Sequence, residues 1–367
     1  MENGKWKMDN TICFYYPFSI MFSFLYGKIT NFRNTLYEKG VLKSYSLGAK
    51  TISVGNITVG GTGKTPLAAC VAEILFESGE KVCVLSRGYG RENPKSRVLV
   101  SDGEKILAEA RFAGDEPFEL AGKLLKKAII ISDANRVSAA DWAREKFDIT
   151  AFVLDDGFQH QRAKRDLNII CVDATNPFGN GKTLPFGILR EPLENLKRAD
   201  AIVITRANLI DEKQISNLKS QISNYTNCLI FTAQNKISNL INLKDFQNLS
   251  KDQILKTKNQ ASLSFCALGN PNNFFEQLRR ENFNLIASEK FPDHHFYTPN
   301  DIAKIEKAAF EKGAKILLTT AKDAVKLKNL ELKLPCFVVE NRMIFDDEES
   351  FRQILENLQL PLKPNSG

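Results

Sequence analysis

No Cys-x-x-Cys pair occurs among the seven cysteines, at positions 13, 70, 83, 171, 228, 266 and 336, and their number is odd. Most sit inside apolar runs such as Val82-Cys83-Val84-Leu85. That pattern excludes a disulfide framework and a cysteine zinc site, and reads as reduced core thiols in a cytoplasmic protein. Internal repeats and low-complexity tracts are also missing, and the only histidines are His160, His294 and His295. No basic stripe interleaved with aromatics appears, so nucleic acid is not an expected partner.

No apolar run is long enough for a bilayer span either. The longest, residues 12–26, is shorter than the ~20 residues a crossing needs, and Pro17, Ser19 and Ser23 interrupt it. Glu2 and Asp9 precede it and no small-x-small cleavage site follows, which argues against a signal peptide. Two readings of the run stay open. It is a helix packed on the domain, or one lying in a membrane interface with Phe18, Met21, Phe22 and Leu25 in lipid and Lys28, Arg33, Lys39 and Lys43 at headgroups. Tyr15, Tyr16 and Tyr26 at its ends lean towards the interface.

What is present is a soluble globular composition, with 43% hydrophobic and 25% charged residues over 367 positions, long enough for two domains. Of the net charge of +7, +4 lies in residues 1–50, where seven Lys/Arg face three acids, so an anionic surface is the expected partner of that end. From residue 50 onward, short β-branched runs alternate with helical patterns. Strands are expected at 51–55, 81–85, 128–131, 151–154, 167–172 and 201–205, with helices at 66–76, 117–127 and 137–146 between them. Continuous apolar strands are buried on both faces, so a parallel sheet flanked by helices follows. A second alternating unit has strands at 263–268, 285–289, 315–319 and 336–339 and a last helix near 348–358. The expected division is 1–45 as an apolar, basic helical segment, 46–234 as the core domain, 235–262 as an irregular linker rich in Asn, Lys and Gln, and 263–360 as a smaller α/β domain.

The first strand runs into Gly60-Gly61-Thr62-Gly63-Lys64-Thr65-Pro66 and then a helix. Glycines let backbone N–H groups turn around phosphate oxygens, and the helix N-terminus adds partial positive charge. Lys64 is placed for the β- and γ-phosphates and the Thr65 hydroxyl for Mg²⁺, so a nucleoside triphosphate is the expected ligand of a P-loop NTPase-like α/β fold. The strict pattern wants Gly at position 58, where this chain has Thr58. A second apolar strand ends in Asp155-Asp156, where an acid holds the metal directly or through water.

Beyond the glycine loop, the blocks Ser86-Arg87-Gly88-Tyr89-Gly90, Gly114-Asp115-Glu116-Pro117, Asp155-Asp156-Gly157-Phe158-Gln159-His160, Arg190-Glu191-Pro192, Asp293-His294 and Thr320-Ala321-Lys322-Asp323 with Lys326 resemble the tetraacyldisaccharide 4′-kinases in kind and order. The resemblance implies ATP with Mg²⁺, two Rossmann-like domains with parallel-rich sheets and the site between them, and an N-terminal membrane-associated helix. It implies a lipid-linked glucosamine disaccharide as acceptor and a place on the cytoplasmic face of the inner membrane of a Gram-negative bacterium. It further implies a metal set of Thr65, Asp155, Asp156 and Glu191, with Arg190 beside the phosphates. Asp115 would be the base, oriented by His294 from the other domain. Glu116, Arg136, Gln159 and His160 would face the substrate, and Tyr89 the nucleotide. No obligate protein partner is implied.

A GTPase switch protein would share the glycine loop. Its guanine-reading Asn/Thr-Lys-x-Asp signal is absent, since Thr320-Ala321-Lys322-Asp323 has the wrong spacing and Asn235-Lys236-Ile237-Ser238 lacks the acid. A non-catalytic scaffold is disfavoured because every expected catalytic position is filled.

Overall fold

The computed structural model describes residues 10–244, 249–293, 295–327 and 330–357, with side chains from residue 21 onward. After helix α1 (Asn10–Glu38), the chain forms β1 (Lys50–Gly55), α2 (Lys64–Glu77), β2 (Val82–Ser86), β3 (Val98–Ser101), α3 (Ala110–Ala113), α4 (Asp115–Lys123), β4 (Ala128–Ser132) and α5 (Arg136–Lys146). There follow β5 (Ala151–Asp155), β6 (Leu167–Asp173), β7 (Ala201–Thr205), α6 (Glu212–Ser223) and the long β8 (Leu229–Asn242). The second half adds α7 (Lys251–Lys258), β9 (Ser262–Cys266), α8 (Pro271–Arg280), β10 (Leu285–Lys290), α9 (Pro299–Lys312), β11 (Ile316–Thr320) and α10 (Ala321–Leu327). β12 (Cys336–Phe345) and α11 (Glu348–Glu356) complete it.

All described strands belong to one twelve-stranded sheet, in the order β10-β9-β11-β12-β8-β7-β6-β1-β5-β2-β4-β3. The β7-β6-β1-β5-β2-β4 run is parallel, β3 is an antiparallel edge, and β9, β10, β11 and β12 are parallel among themselves. This is a mixed α/β fold with a large, mostly parallel sheet. The central strands are buried on both faces, and alternate residues feed different cores. Ala151 and Val153 of β5 pack with α2, whereas Phe152 and Leu154 pack with Ala139, Ala140 and Ala143 of α5.

The stretch expected to be an irregular linker is regular. Residues 229–232 of β8 pair parallel with β7, and residues 233–242 pair antiparallel with β12, so one strand serves both halves. The 234/235 boundary therefore falls inside a strand. Pairing with β12 imposes the strand, while half-exposed faces leave Asn235, Lys236, Ser238 and Asn239 polar; α7 then starts at a capping box between Ser250 and Gln253. The last helix also departs from the expected division. Phe351 of α11 stacks on Phe345 at 4.1 Å and meets Phe231 edge-on at 5.3 Å, in the core that holds Leu67, Val71 and Leu75 of α2. α11 thus packs on the first half and not with the second.

Candidate active site

Helix α2 begins without a side-chain cap. Its N-cap, Gly63, sits at φ 90°, ψ 18°, a left-handed conformation that glycine adopts without Cβ strain. α6, α7 and α9 cap their first turns with Asp211, Ser250 and Thr298, each taking one N–H. The N–H groups at the start of α2 stay available for an anion. The loop before it is braced from behind. Asn56 donates to the Thr62 hydroxyl at 3.0 Å, the Thr205 hydroxyl donates to the Thr62 carbonyl at 2.8 Å, and Arg206 donates to the Gly61 carbonyl at 2.7 Å. In front, side chains built on Gly60 and Gly61 would meet nothing within 4 Å. Thr58, the departure from the strict pattern, lies in a buried antiparallel bridge with Leu189, and Val59 N donates to Ile188 O at 2.8 Å. Extended backbone needs no glycine, which is why threonine fits.

β5 delivers the two carboxylates in different environments. Asp155 is fully buried, its Oδ2 accepting from Ser86 at 2.9 Å while Oδ1 has no hydrogen-bond partner among the described residues. Burial, and then the neighbouring Glu116 and Asp156 charges, push its pKa up to about 7. Asp156 turns out of the strand at φ 52°, a rare conformation for a non-glycine residue, into the cleft. Arg190 Nη1 lies 2.9 Å from each of its oxygens, and Lys64 Nζ lies 3.8 Å from Oδ1. Burial alone would raise this carboxyl, but Lys64 and then Arg190 more than offset it, so its pKa is lowered. Gln159 links the same group to the glycine loop, accepting from Arg190 at 3.4 Å and donating to Asn56 O at 3.0 Å.

Asp156, Lys64 and Arg190 line a cleft of about 410 Å³ between the halves. The first half contributes Gly60 to Pro66, Ser86, Arg87, Tyr89, Glu116, Asp156 and Arg190. Tyr89 is 71% exposed. Burial is the main reason the Glu116 pKa is raised. Facing them from the second half are Asn235, Asn273, Gln277, Asn341, Asp293 and Lys322. Gln277 donates to Asn341 at 2.8 Å, and Lys322 pairs with Asp293 at 2.9 Å.

Other expected residues lie elsewhere. Glu191 does not line this cleft; its buried carboxylate accepts from Asn34 of α1 and from Arg198, each at 2.6 Å. Both bonds end on Oε2, and Glu191 is not among the groups that line the cleft with Thr65 and Asp156. Asp115, at the first turn of α4, sits 2.9 Å from Lys326 Nζ. His294 lies outside the described residues. Arg136 is buried and donates to the Asp155 carbonyl at 3.3 Å. His160 is held neutral, its pKa lowered to about 4 by burial and then by Arg136, Arg165, Arg33 and Arg162. Sequence reasoning missed Arg206, which also pairs with Asp173 and lines the cleft. Its position just past β7, on the sheet edge that carries the glycine loop, was the available signal.

An uncapped helix behind a glycine loop, with carboxylates at the end of the adjacent parallel strand, defines an α/β protein built to hold nucleotide phosphates. The chain belongs to the tetraacyldisaccharide-1-P 4′-kinase family, whose model matches residues 16–359. It is 40% identical to the tetraacyldisaccharide 4′-kinase of Pelobacter propionicus over 85% of this chain and 83% of that one. It is 38% identical to the enzyme of the same name from Halothermothrix orenii over 84% and 82%. Among solved structures, the "apo" form of LpxK from Aquifex aeolicus in complex with ATP superposes with a TM-score of 0.74 at 34% identity, covering 92% of this chain and 97% of that one. The activity is ATP-dependent 4′-phosphorylation of a tetraacyldisaccharide 1-phosphate in lipid A biosynthesis, and the acceptor is accordingly a glycolipid.

Proposed function

We propose that the cleft between the halves is where phosphoryl transfer occurs, with the chain's own residues in the following roles. Gly60 to Thr65 cradle the triphosphate, and Lys64 reaches its β- and γ-phosphates. Thr65, Asp156 and Asp155 supply oxygen ligands suited to Mg²⁺, and the Oδ1 of buried Asp155, with no hydrogen-bond partner among the described residues, fits such a donor set. A Mg²⁺ held there would supply charge neutralisation for the transferring phosphate. Arg190 shares Asp156 with Lys64 and is placed to face the γ-phosphate. Tyr89 borders the nucleotide. Asp115, with His294, takes the proton of the 4′-hydroxyl, a contribution of about 10²–10⁴ in rate. Glu116 borders the acceptor side of the cleft, and Gln159 holds Arg190 from behind. The observation that carries the reading is Asp156, turned into the cleft between Lys64 and Arg190 opposite the uncapped helix.

The membrane reading rests on the inverted polarity of α1. Three of its uncharged polar side chains face the protein: Ser23 donates to Thr183 O at 2.8 Å, Asn34 bonds Glu191, and Asn31 accepts from Asn195 at 2.7 Å. Its apolar ones face outward, with Met21, Phe22, Leu25, Ile29 and Phe32 exposed and Phe24 67% exposed. A helix facing water does the reverse. No described helix is long and apolar enough to cross a membrane. Such a face fits the interface on the cytoplasmic side of the inner membrane, where acyl chains of the acceptor remain in lipid.

Purified protein with Mg-ATP and tetraacyldisaccharide 1-phosphate in detergent should add one phosphate to the disaccharide by mass spectrometry, and Asp156→Asn should abolish it. An unimpaired Asp156→Asn enzyme would overturn the site. Phe22→Ser/Phe24→Ser/Phe32→Ser should leave the soluble assay intact while flotation with anionic vesicles drops; unchanged flotation would refute the interfacial reading.

A further inference from the structure

Lys326 stands on α10 in the second half, and its side chain is 1% exposed. A buried ammonium is costly unless an opposite charge meets it. The carboxylate that meets it is Asp115 of the first half, 9% exposed and 2.9 Å from Nζ. The face of Phe296 closes over the ammonium at 5.3 Å. The contact is an ion pair and not an aligned hydrogen bond, since Nζ has no partner of hydrogen-bonding geometry among the described residues. Of the buried positions of α10, Ala324 and Leu327 are apolar and pack into the core of the second half, and the third, Asp323, feels the Lys326 charge but has its own donors in Ala267 N, Thr320 and Tyr297. Packing alone would be met by another aliphatic residue at 326, so the charge itself has a task.

We infer that Lys326 is a positioning residue for the kinase reaction: it holds Asp115 ionised and rotationally fixed where the acceptor hydroxyl is deprotonated. The inference rests on the reading of Asp115 as the base. In that step the 4′-O–H proton passes to the Asp115 carboxylate as the 4′-oxygen forms its bond to the γ-phosphorus. The bond from the γ-phosphorus to the β,γ-bridging oxygen breaks, and ADP leaves with that electron pair. Lys326 makes no bond in this sequence. It sets the charge and orientation of the group that takes the proton, and because it comes from the other half, the base is complete only with both halves in place.

The test compares the full chain carrying Lys326→Met, Lys326→Arg, Asp115→Asn and the double variant Asp115→Asn/Lys326→Met, using initial rates with Mg-ATP and tetraacyldisaccharide 1-phosphate in detergent. Lys326→Met should lower kcat about a hundredfold, the scale of losing a competent base, with KM for ATP within about threefold. Lys326→Arg, which keeps the charge, should recover at least about a tenth of the wild-type kcat. Asp115→Asn should be similarly slow, and adding Lys326→Met to it should cost nothing more, because Lys326 acts through Asp115. If the uncompensated carboxylate unfolds Lys326→Met, the double variant, which removes both charges, still supplies the comparison. A Lys326→Met enzyme within threefold of wild type beside an impaired Asp115→Asn enzyme overturns the inference alone, as does a double variant slower than Asp115→Asn by a further tenfold. A near-wild-type Asp115→Asn enzyme overturns the base reading and the inference with it.

Discussion

Gly114 precedes Asp115 and is the N-cap of α4, at φ 92° and ψ 152°, a region that only glycine occupies without strain. A Cβ there would stand 2.8 Å from Gly88 Cα, 2.9 Å from Gly88 C and 3.1 Å from Tyr89 O. All three are main-chain atoms, so no side chain can swing aside. Restoring an ordinary carbon–carbon contact needs a separation of about 0.7 Å between the two loops. Backbone strain of about 1–3 kcal/mol adds to the contact penalty, and Gly114→Ala should cost about 2–4 kcal/mol in urea unfolding. The displaced segment begins with Asp115, and a shift near 1 Å at a reacting group costs about 10²-fold in rate. kcat should therefore fall about 10- to 100-fold while KM for ATP, set by the glycine loop on α2, stays within about threefold. Gly122→Ala on the same helix is the control, since a Cβ there meets nothing within 4 Å; it should be neutral or stabilising by up to about 1 kcal/mol. A Gly114→Ala enzyme with wild-type unfolding and kcat, or a Gly122→Ala enzyme equally damaged, would refute the reasoning.

Arg190→Met removes both contacts to Asp156 and should cost about 1–2 kcal/mol of stability and about 10²-fold or more in kcat. The Asp156 pKa is lowered in the fold, so this stability difference is present above about pH 4 and vanishes as pH falls through the folded pKa; a difference that grows on acidification would contradict it. His160, lowered to about 4 by burial and the surrounding arginines, disfavours its proton in the folded state. Its contribution is complete above about pH 6.5 and lost towards pH 4, about 2–3 kcal/mol in all, so His160→Gln should flatten that part of the acid limb in equilibrium unfolding. Parallel curves for the two proteins would reject this account of the imidazole.

The parallel strands were legible because burial on both faces leaves an unbroken apolar run, as in Ala201–Thr205, which forms as expected. The glycine loop, Glu116, Asp156 and Arg190 were legible as side chains of one cleft because their sequence blocks are distinctive. What failed to show in the sequence depends on partners far along the chain. β8 beyond residue 232 carries no strand pattern of its own, and only β12 makes it one. Glu191 stands next to Arg190, yet the backbone sends the two side chains to different places, one to Asp156 and the other to Asn34 and Arg198. The apolar run of α1 cannot say which face meets the protein, and the answer came from Ser23 and Asn34.

The return of α11 to α2 makes the first half discontinuous in the chain, with β8 and β12 each running from one half into the other on either side of the inserted second half. On the ribosome, the strands up to β7 emerge early, but the core beneath α2 lacks Met343, Phe345, Phe351 and Leu355 until those residues are translated. The helix whose first turn forms the phosphate site thus packs early on β1, β2, β5 and α4 but gains its last partners only at the end of the chain. Nascent chains stalled before residue 343 would carry the whole glycine loop with one part of the packing under its helix still missing.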